Sequence, residues 1–247
     1  MTRRRWLRLG ALLMAGAGLA WRPWQTRLQV LRKGGKGPPT LVLLHGYGSS
    51  AEQWMPYTQT IPFPPAGQFL FPQGPEIVAR KDGLLHGRAW WDLALAAHLR
   101  AGKPGVDLTR EDPRGLQHAA NLVRTALSRE GNSTVHPFIL GGFSQGAMVA
   151  CEVAFASDTP LAALVILSGT PQELAGWQLG MAARKRLPIF MSHGRADDIL
   201  PFDLAEKLHA DLVAAGLPVT FVPFDGGHQI PEEVVIALGK FLVRVGS

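Results

Sequence analysis

Thr40–Leu44 is a continuous apolar run, and Phe138–Leu140, Leu161–Gly169, Leu187–Gly194 and Pro218–Phe224 are further mostly apolar stretches that read as strands. A short uninterrupted run of this kind fits a strand buried on both faces of a sheet, as parallel sheets require. Between the later runs lie segments with apolar residues at helical spacing. An alanine-rich segment follows Met148, and Leu204–Ala215 repeats apolar positions every three or four residues after Asp203, the expected N-cap. Strands alternating with helices predict an α/β protein with a mostly parallel central sheet and helices on both faces. Gly34–Pro39 reads as a turn between two early strands. The Pro- and Gly-rich stretch Ile61–Arg88 reads as long loops over the end of the sheet.

The strand ends carry the chemistry. Phe138–Leu140 runs into Gly142-Phe143-Ser144-Gln145-Gly146, a G-x-S-x-G sequence between a strand and a helix. In that setting the pentapeptide is a sharp turn that presents a serine hydroxyl at the sheet edge, and side chains at the two glycine positions would obstruct it. A serine hydroxyl needs a base, and the base needs an orienting carboxylate. Asp197, with Asp198 beside it, follows the run ending at Gly194, and His228 follows the run ending at Phe224. Asp225 lies three residues before His228 and is a weaker rival for the acid. The order Ser, acid, His and the strand-end positions fit nucleophilic acyl transfer. Ahead of them, Thr40–Leu44 ends in His45-Gly46-Tyr47-Gly48. A turn of this type after an early strand suits the loop that gives one backbone N–H to an oxyanion hole, the second coming from the residue after the nucleophile. Tyr47 and Gln145 are the two expected donors, and His45 reads as a structural loop histidine.

The segments LHGYGSS, FPQGPE, RAWWDL, GGFSQGAM, LSG, SHGRADDILP and FDGGHQIPEEV, in this order, resemble the phospholipase/carboxylesterase family of serine hydrolases, which includes the acyl-protein thioesterases. The resemblance runs from about Thr40 to the C-terminus and implies an α/β-hydrolase fold. It also implies Asp197 rather than Asp198 as the acid, because the family's acid follows H-G by three residues and precedes a Val-Pro-like pair, here Leu200-Pro201. The segment Gln73–Trp90 departs from the thioesterase pattern toward bacterial esterases of the family. The expected reaction is hydrolysis of small esters with short to medium acyl chains through an acyl-enzyme. Lysophospholipid or acyl-thioester hydrolysis by the same residues is the alternative, and a catalytically idle, membrane-tethered binding scaffold is the alternative of another class. Trp54, Trp90 and Trp91 are candidate walls of an acyl pocket, with at least one of them expected in the core instead.

Composition changes the picture in a few places. The single cysteine, Cys151, excludes an internal disulfide and, placed on the helix after Ser144, reads as packing. No cysteine–histidine spacing suggests a metal, and no cofactor is expected. His86, His98, His118, His136 and His209 stand isolated. The N-terminus is separate in character: Arg3, Arg4, Arg5 and Arg8 precede an apolar, Gly- and Ala-rich run from Leu9 to Trp21. A basic region, a short apolar region and small residues describe a signal peptide over residues 1–20, and the Arg3-Arg4 pair resembles a twin-arginine signal. The run is short for a membrane span, which needs about 20 residues. The expectation is therefore a single domain over 21–247 in the periplasm or outside the cell, the alternative being a cytoplasmic enzyme. The net charge of +6 falls to +2 without residues 1–20, and no basic–aromatic pattern points to nucleic acid.

Overall fold

The computed structural model describes residues 27–79, 86–92, 105, 107–109, 112–130 and 136–246. Residues 1–26, and with them the expected signal peptide, lie outside the described residues. A seven-stranded sheet runs in the order β1-β3-β2-β6-β7-β8-β9. Its strands are β1 (Val30–Gly34), β2 (Gly37–Leu44), β3 (Gly67–Pro72), β6 (Phe138–Phe143), β7 (Leu161–Leu167), β8 (Ile189–Gly194) and β9 (Val219–Phe224). All pairs are parallel except β1 with β3. A separate antiparallel pair, β4 (Glu76–Ala79) and β5 (His86–Ala89), stands beside the sheet.

The predicted runs become strands because both faces of the sheet are covered. Along β2, Val42 and Leu44 belong to one apolar cluster and Leu41 and Leu43 to the other. The first cluster is completed by α2 (Arg114–Arg129), α3 (Gln145–Phe155), α4 (Leu174–Ala183) and α5 (Phe202–Ala214). The second is completed by α1 (Ala51–Trp54) and α6 (Glu232–Val245). Every residue of α3 is buried, so this helix is packed on all sides, which fixes its N-terminus firmly over the sheet edge.

Three expectations are corrected. The stretch Ile61–Arg88 is not only loop: Phe69, Leu70 and Phe71 form the heart of β3, a full member of the central sheet, and β4 lies within it too. Gly37, Pro38 and Pro39 belong to β2, which leaves Gly35 and Lys36 as the link from β1. Helix α5 starts at Phe202 after Pro201, so Asp203 sits in its first turn, where its charge favours the helix dipole, and is not the N-cap.

Candidate active site

The site forms where β2, β6, β8 and β9 end. Ser144 lies between β6 and α3 with φ 55° and ψ −120°, a backbone conformation that an L-residue adopts only when its surroundings impose it. The imposition is visible in two glycines. A Cβ on Gly142 would meet the Gly146 carbonyl at 2.3 Å, and a Cβ on Gly146 would meet the Leu44 carbonyl oxygen at 2.3 Å. The elbow is therefore wedged between β2 and the first turn of α3. It is tied to the sheet by the Ser144 N–H, which donates to Leu167 O at 2.9 Å. Gln145 opens α3, where a backbone N–H has no intrahelical acceptor.

The acid and base loops are stitched together by their own backbones. Gly194 and Phe224 pair at the ends of β8 and β9. Beyond them, Arg195 N–H donates to Phe224 O and Ala196 N–H to Gly226 O, both at 2.9 Å. This brings Asp197 to His228, whose Nδ1 lies 2.7 Å from Asp197 Oδ2. The other oxygen, Oδ1, accepts the N–H groups of Ile199 at 3.0 Å and Leu200 at 2.9 Å. Burial alone would raise the Asp197 carboxyl. Hydrogen bonds from His193 and His228, attraction to His228 and the Leu200 N–H outweigh it and hold the group well below the usual carboxylate range. The rival acids lie elsewhere. Asp198 offers its backbone oxygen to Gly105 N–H at 2.7 Å. The Asp225 side chain is 98% exposed and stands 3.7 Å from Arg195.

Sequence reasoning missed a second histidine. His193, fully buried in β8, has Nε2 2.8 Å from Leu200 O and 3.2 Å from Asp197 Oδ2. Because the Leu200 carbonyl can only accept, Nε2 carries the proton. The carboxylate oxygen Oδ2 is thus approached by two imidazoles. The spacing of His193 and Asp197, four residues apart across a turn, was the only signal for it.

Two side chains brace the loops. His45 is buried; its Nε2 accepts the Gly74 N–H at 2.9 Å, so Nδ1 donates to Gly46 O at 2.8 Å. Burial lowers its pKa to about 4, a fall that the bond to Gly46 only partly resists, so the ring is neutral at pH 7. The Gln145 amide bridges to the segment after β5, accepting from Trp90 N–H and donating to Trp91 O, both at 2.9 Å. Trp90 in turn donates from its indole to His45 O at 2.7 Å.

A cavity of about 520 Å³ opens over these groups, a size suited to a small ligand. Ser144 and His228 line it together with Gly46, Tyr47 and Trp54. Trp90 and Trp91 do not line it: both are buried in the apolar cluster around α2 and α3, where Trp91 packs against Gly115. Their expected place in an acyl pocket is corrected, since the Gln145 and His45 bonds turn this segment toward the core. Among the described residues, no group of three or more His, Cys, Asp or Glu is arranged to hold a metal ion.

Comparison with known proteins bears on the family and the fold. The model of the phospholipase/carboxylesterase family matches residues 25–245. Acyl-protein thioesterase 1 homolog 1 of Dictyostelium discoideum is 25% identical over 212 residues, spanning 83% of this chain and 89% of its own. Acyl-protein thioesterase 1 of Saccharomyces cerevisiae is 28% identical over 178 residues, spanning 68% of this chain and 74% of its own. Among solved structures, esterase PE8 superposes with a TM-score of 0.69 at 24% identity, over 89% of this chain and 99% of that one. The Bacillus cereus carboxylesterase superposes with a TM-score of 0.68 at 18% identity, over 88% and 94% of the two chains. These two likenesses bear on the fold.

Proposed function

The chain belongs to the phospholipase/carboxylesterase family of α/β-hydrolases and is a hydrolase of the esterase type, and from that premise we propose that it cleaves carboxylic esters of short to medium acyl chains through an acyl-enzyme on Ser144. The observation that carries this reading is the 2.7 Å contact of Asp197 with His228, in a cavity that Ser144 and His228 line together. With Nδ1–H directed at Asp197, His228 keeps Nε2 as a base. It takes the Ser144 proton as Oγ attacks the ester carbonyl, then returns the proton to the departing alcohol. Water, deprotonated in the same way, releases the acid and frees Ser144. The oxyanion of each tetrahedral intermediate is assigned to the backbone N–H groups of Tyr47 and Gln145. A depressed Asp197 keeps its charge throughout and stabilises the imidazolium form of His228. Thioester cleavage by the same residues is a second reading, favoured by the names of the similar thioesterases.

Replacing Ser144 by Ala should lower kcat by about 10⁴- to 10⁶-fold and abolish fluorophosphonate labelling, with the fold intact. Retention of a tenth of the wild-type rate would remove Ser144 from the role. We read residues 21–247 as one hydrolase domain and residues 1–20 as an export signal, on the strength of the Arg3-Arg4 pair and the apolar run that follows. Among the described residues no helix is long and apolar enough to cross a membrane. N-terminal sequencing of the protein recovered from its host tests the export reading; an uncleaved chain retaining residues 1–20 in the cytoplasm would refute it.

A further inference from the structure

The walls of the cavity carry more information than its catalytic floor. One wall is a continuous row of rings. The Tyr57 and Trp54 rings lie 5.1 Å apart, Trp54 and Phe143 lie 6.1 Å apart, and Phe143 and His228 lie 4.7 Å apart. All four residues line the cavity, and Tyr47 adds another ring. The row follows from the short helix α1 running into a 3₁₀ turn over Met55–Gln59, which sets Trp54 and Tyr57 three residues apart on one side. Phe143 is held next to them because it immediately precedes the strained Ser144. The polar side chains at the rim are neutral: Ser49, Gln53 and Gln229. Ser49 Oγ donates to Gln53 Oε1 at 3.0 Å, which leaves the amide's NH₂ group as its donor end. Among the described residues, no Lys, Arg, Asp or Glu lines this cavity.

Resting on the esterase reading above, we propose that the site selects neutral esters whose acyl group ends in a flat ring, of the arylalkanoic type. The acyl group stays on Ser144 during the reaction, and the proposal seats it beside the neighbouring Phe143, with its far end along the ring row at Trp54 and Tyr57. A planar ring there makes offset or edge contacts with successive aromatic faces, which a flexible alkyl chain cannot reproduce. An anionic or zwitterionic substrate finds no opposite charge among the described residues of the cavity walls to offset the loss of its hydration. Lysophospholipids and phosphate-bearing thioesters are thereby disfavoured relative to neutral esters.

Three ethyl esters test this directly on the full-length enzyme: 3-phenylpropanoate, hexanoate, and the monoanion of adipate, which is hexanoate with a terminal carboxylate. The phenylpropanoate should exceed the hexanoate in kcat/KM by about three- to tenfold. The adipate monoanion should fall below the hexanoate by at least about tenfold. Tyr57 is only half-buried, so its replacement is tolerable where that of the buried Trp54 threatens the core. In Tyr57→Leu the phenylpropanoate-to-hexanoate ratio should shrink toward one, and Tyr57→Phe should keep it. A ratio is independent of how much protein is folded. Hexanoate hydrolysed as well as phenylpropanoate, an unchanged ratio in Tyr57→Leu, or adipate accepted like hexanoate would overturn this inference while leaving the esterase reading standing. Failure to cleave any ester or to react with fluorophosphonate would overturn the esterase reading and this inference with it.

Discussion

At the scale of single residues, the acid is defined by what donates to it. Asp197 receives two backbone N–H groups on one oxygen and two imidazoles on the other. In the proposed mechanism His228 is the working partner. His193 is a positioning partner, because it also donates to Leu200 O and so fixes the turn that carries the carboxylate. Asp197→Asn should cost about 10³- to 10⁴-fold in kcat, since the imidazole loses its acceptor. His193→Phe keeps a ring in the same space but removes one donor to a charged group, and should cost about ten- to a hundredfold in kcat with KM little changed. Asp198→Asn should be close to wild type. Steady-state kinetics on variants of equal melting temperature check the ranking; His193→Phe with wild-type kcat would show that the second imidazole only packs. The triad candidates were legible because each ends an apolar run, and strand ends are readable from composition. His193 and the Gln145 amide were not, because their roles depend on partners far along the chain or across a turn. Trp90 and Trp91 show the same limit: an aromatic pair flanked by Gly- and Pro-rich sequence looks alike whether it faces a pocket or the core.

At the scale of elements, legibility follows burial. The strands β2, β6, β7, β8 and β9 were visible as apolar runs because helices cover the sheet on both sides. The strand β1 was not, because at its edge of the sheet Arg32, Lys33 and Gly34 are exposed, which leaves a polar sequence without a period, whereas β9 at the opposite edge is half-buried and keeps Val219, Phe221, Val222 and Phe224. The strand β3 was hidden by its flanks, Pro62, Pro64 and Pro65 before it and Pro72 at its end, which read as loop although its centre is fully apolar. The strands β4 and β5 are four residues each, paired with each other and, through a single bridge from Arg88, with Ser49, too short for a pattern. The elbow between β6 and α3 was legible for the opposite reason: its glycines are forced by close approach. Gly146→Ala places a methyl against the Leu44 and His45 carbonyl oxygens, at 2.3 and 2.6 Å. Backbone cannot yield as a side-chain tip does, so the start of α3 must shift off β2. Stability should fall by about 1–3 kcal/mol. The displaced Ser144 and Gln145 N–H should cost about 10²-fold in kcat, the usual penalty for misplacing a reacting group by about 1 Å. Thermal melting and kcat measured together check this; a stable, fully active variant would show that the elbow has slack.

At the scale of the whole molecule, one neutral imidazole joins parts that are distant in sequence. His45 follows β2, accepts from Gly74 beyond β3, and receives the Trp90 indole on its carbonyl beyond β5. Trp90 then reaches the Gln145 side chain at the head of α3. The loop carrying Tyr47, the end of β3, the β4–β5 pair and the nucleophile helix are thus held through one ring and its backbone. The arrangement requires an unprotonated Nε2, because a protonated ring could not accept the Gly74 N–H. Burial accordingly moves the folded-state pKa from 6.5 down to about 4. Above pH 6.5 the ring is neutral in both folded and unfolded chains and the shift has no effect on stability. Between pH 6.5 and 4 the unfolded chain binds the proton and the folded one resists it, so stability falls as the pH falls. Over that window the loss amounts to about 3 kcal/mol, at about 1.4 kcal/mol per pKa unit. Other groups titrate in the same range, so the comparison must be with a variant that cannot. His45→Gln keeps a polar side chain with both a donor and an acceptor but has nothing to protonate. It should be less stable than wild type at pH 7, where the fitted ring is lost. It should also lose about 3 kcal/mol less than wild type on going from pH 7 to 4. Urea unfolding at both pH values measures the two losses. Equal losses would mean that His45 is protonated in the folded protein, and that the link between the β2 loop and Gly74 does not depend on its neutral form.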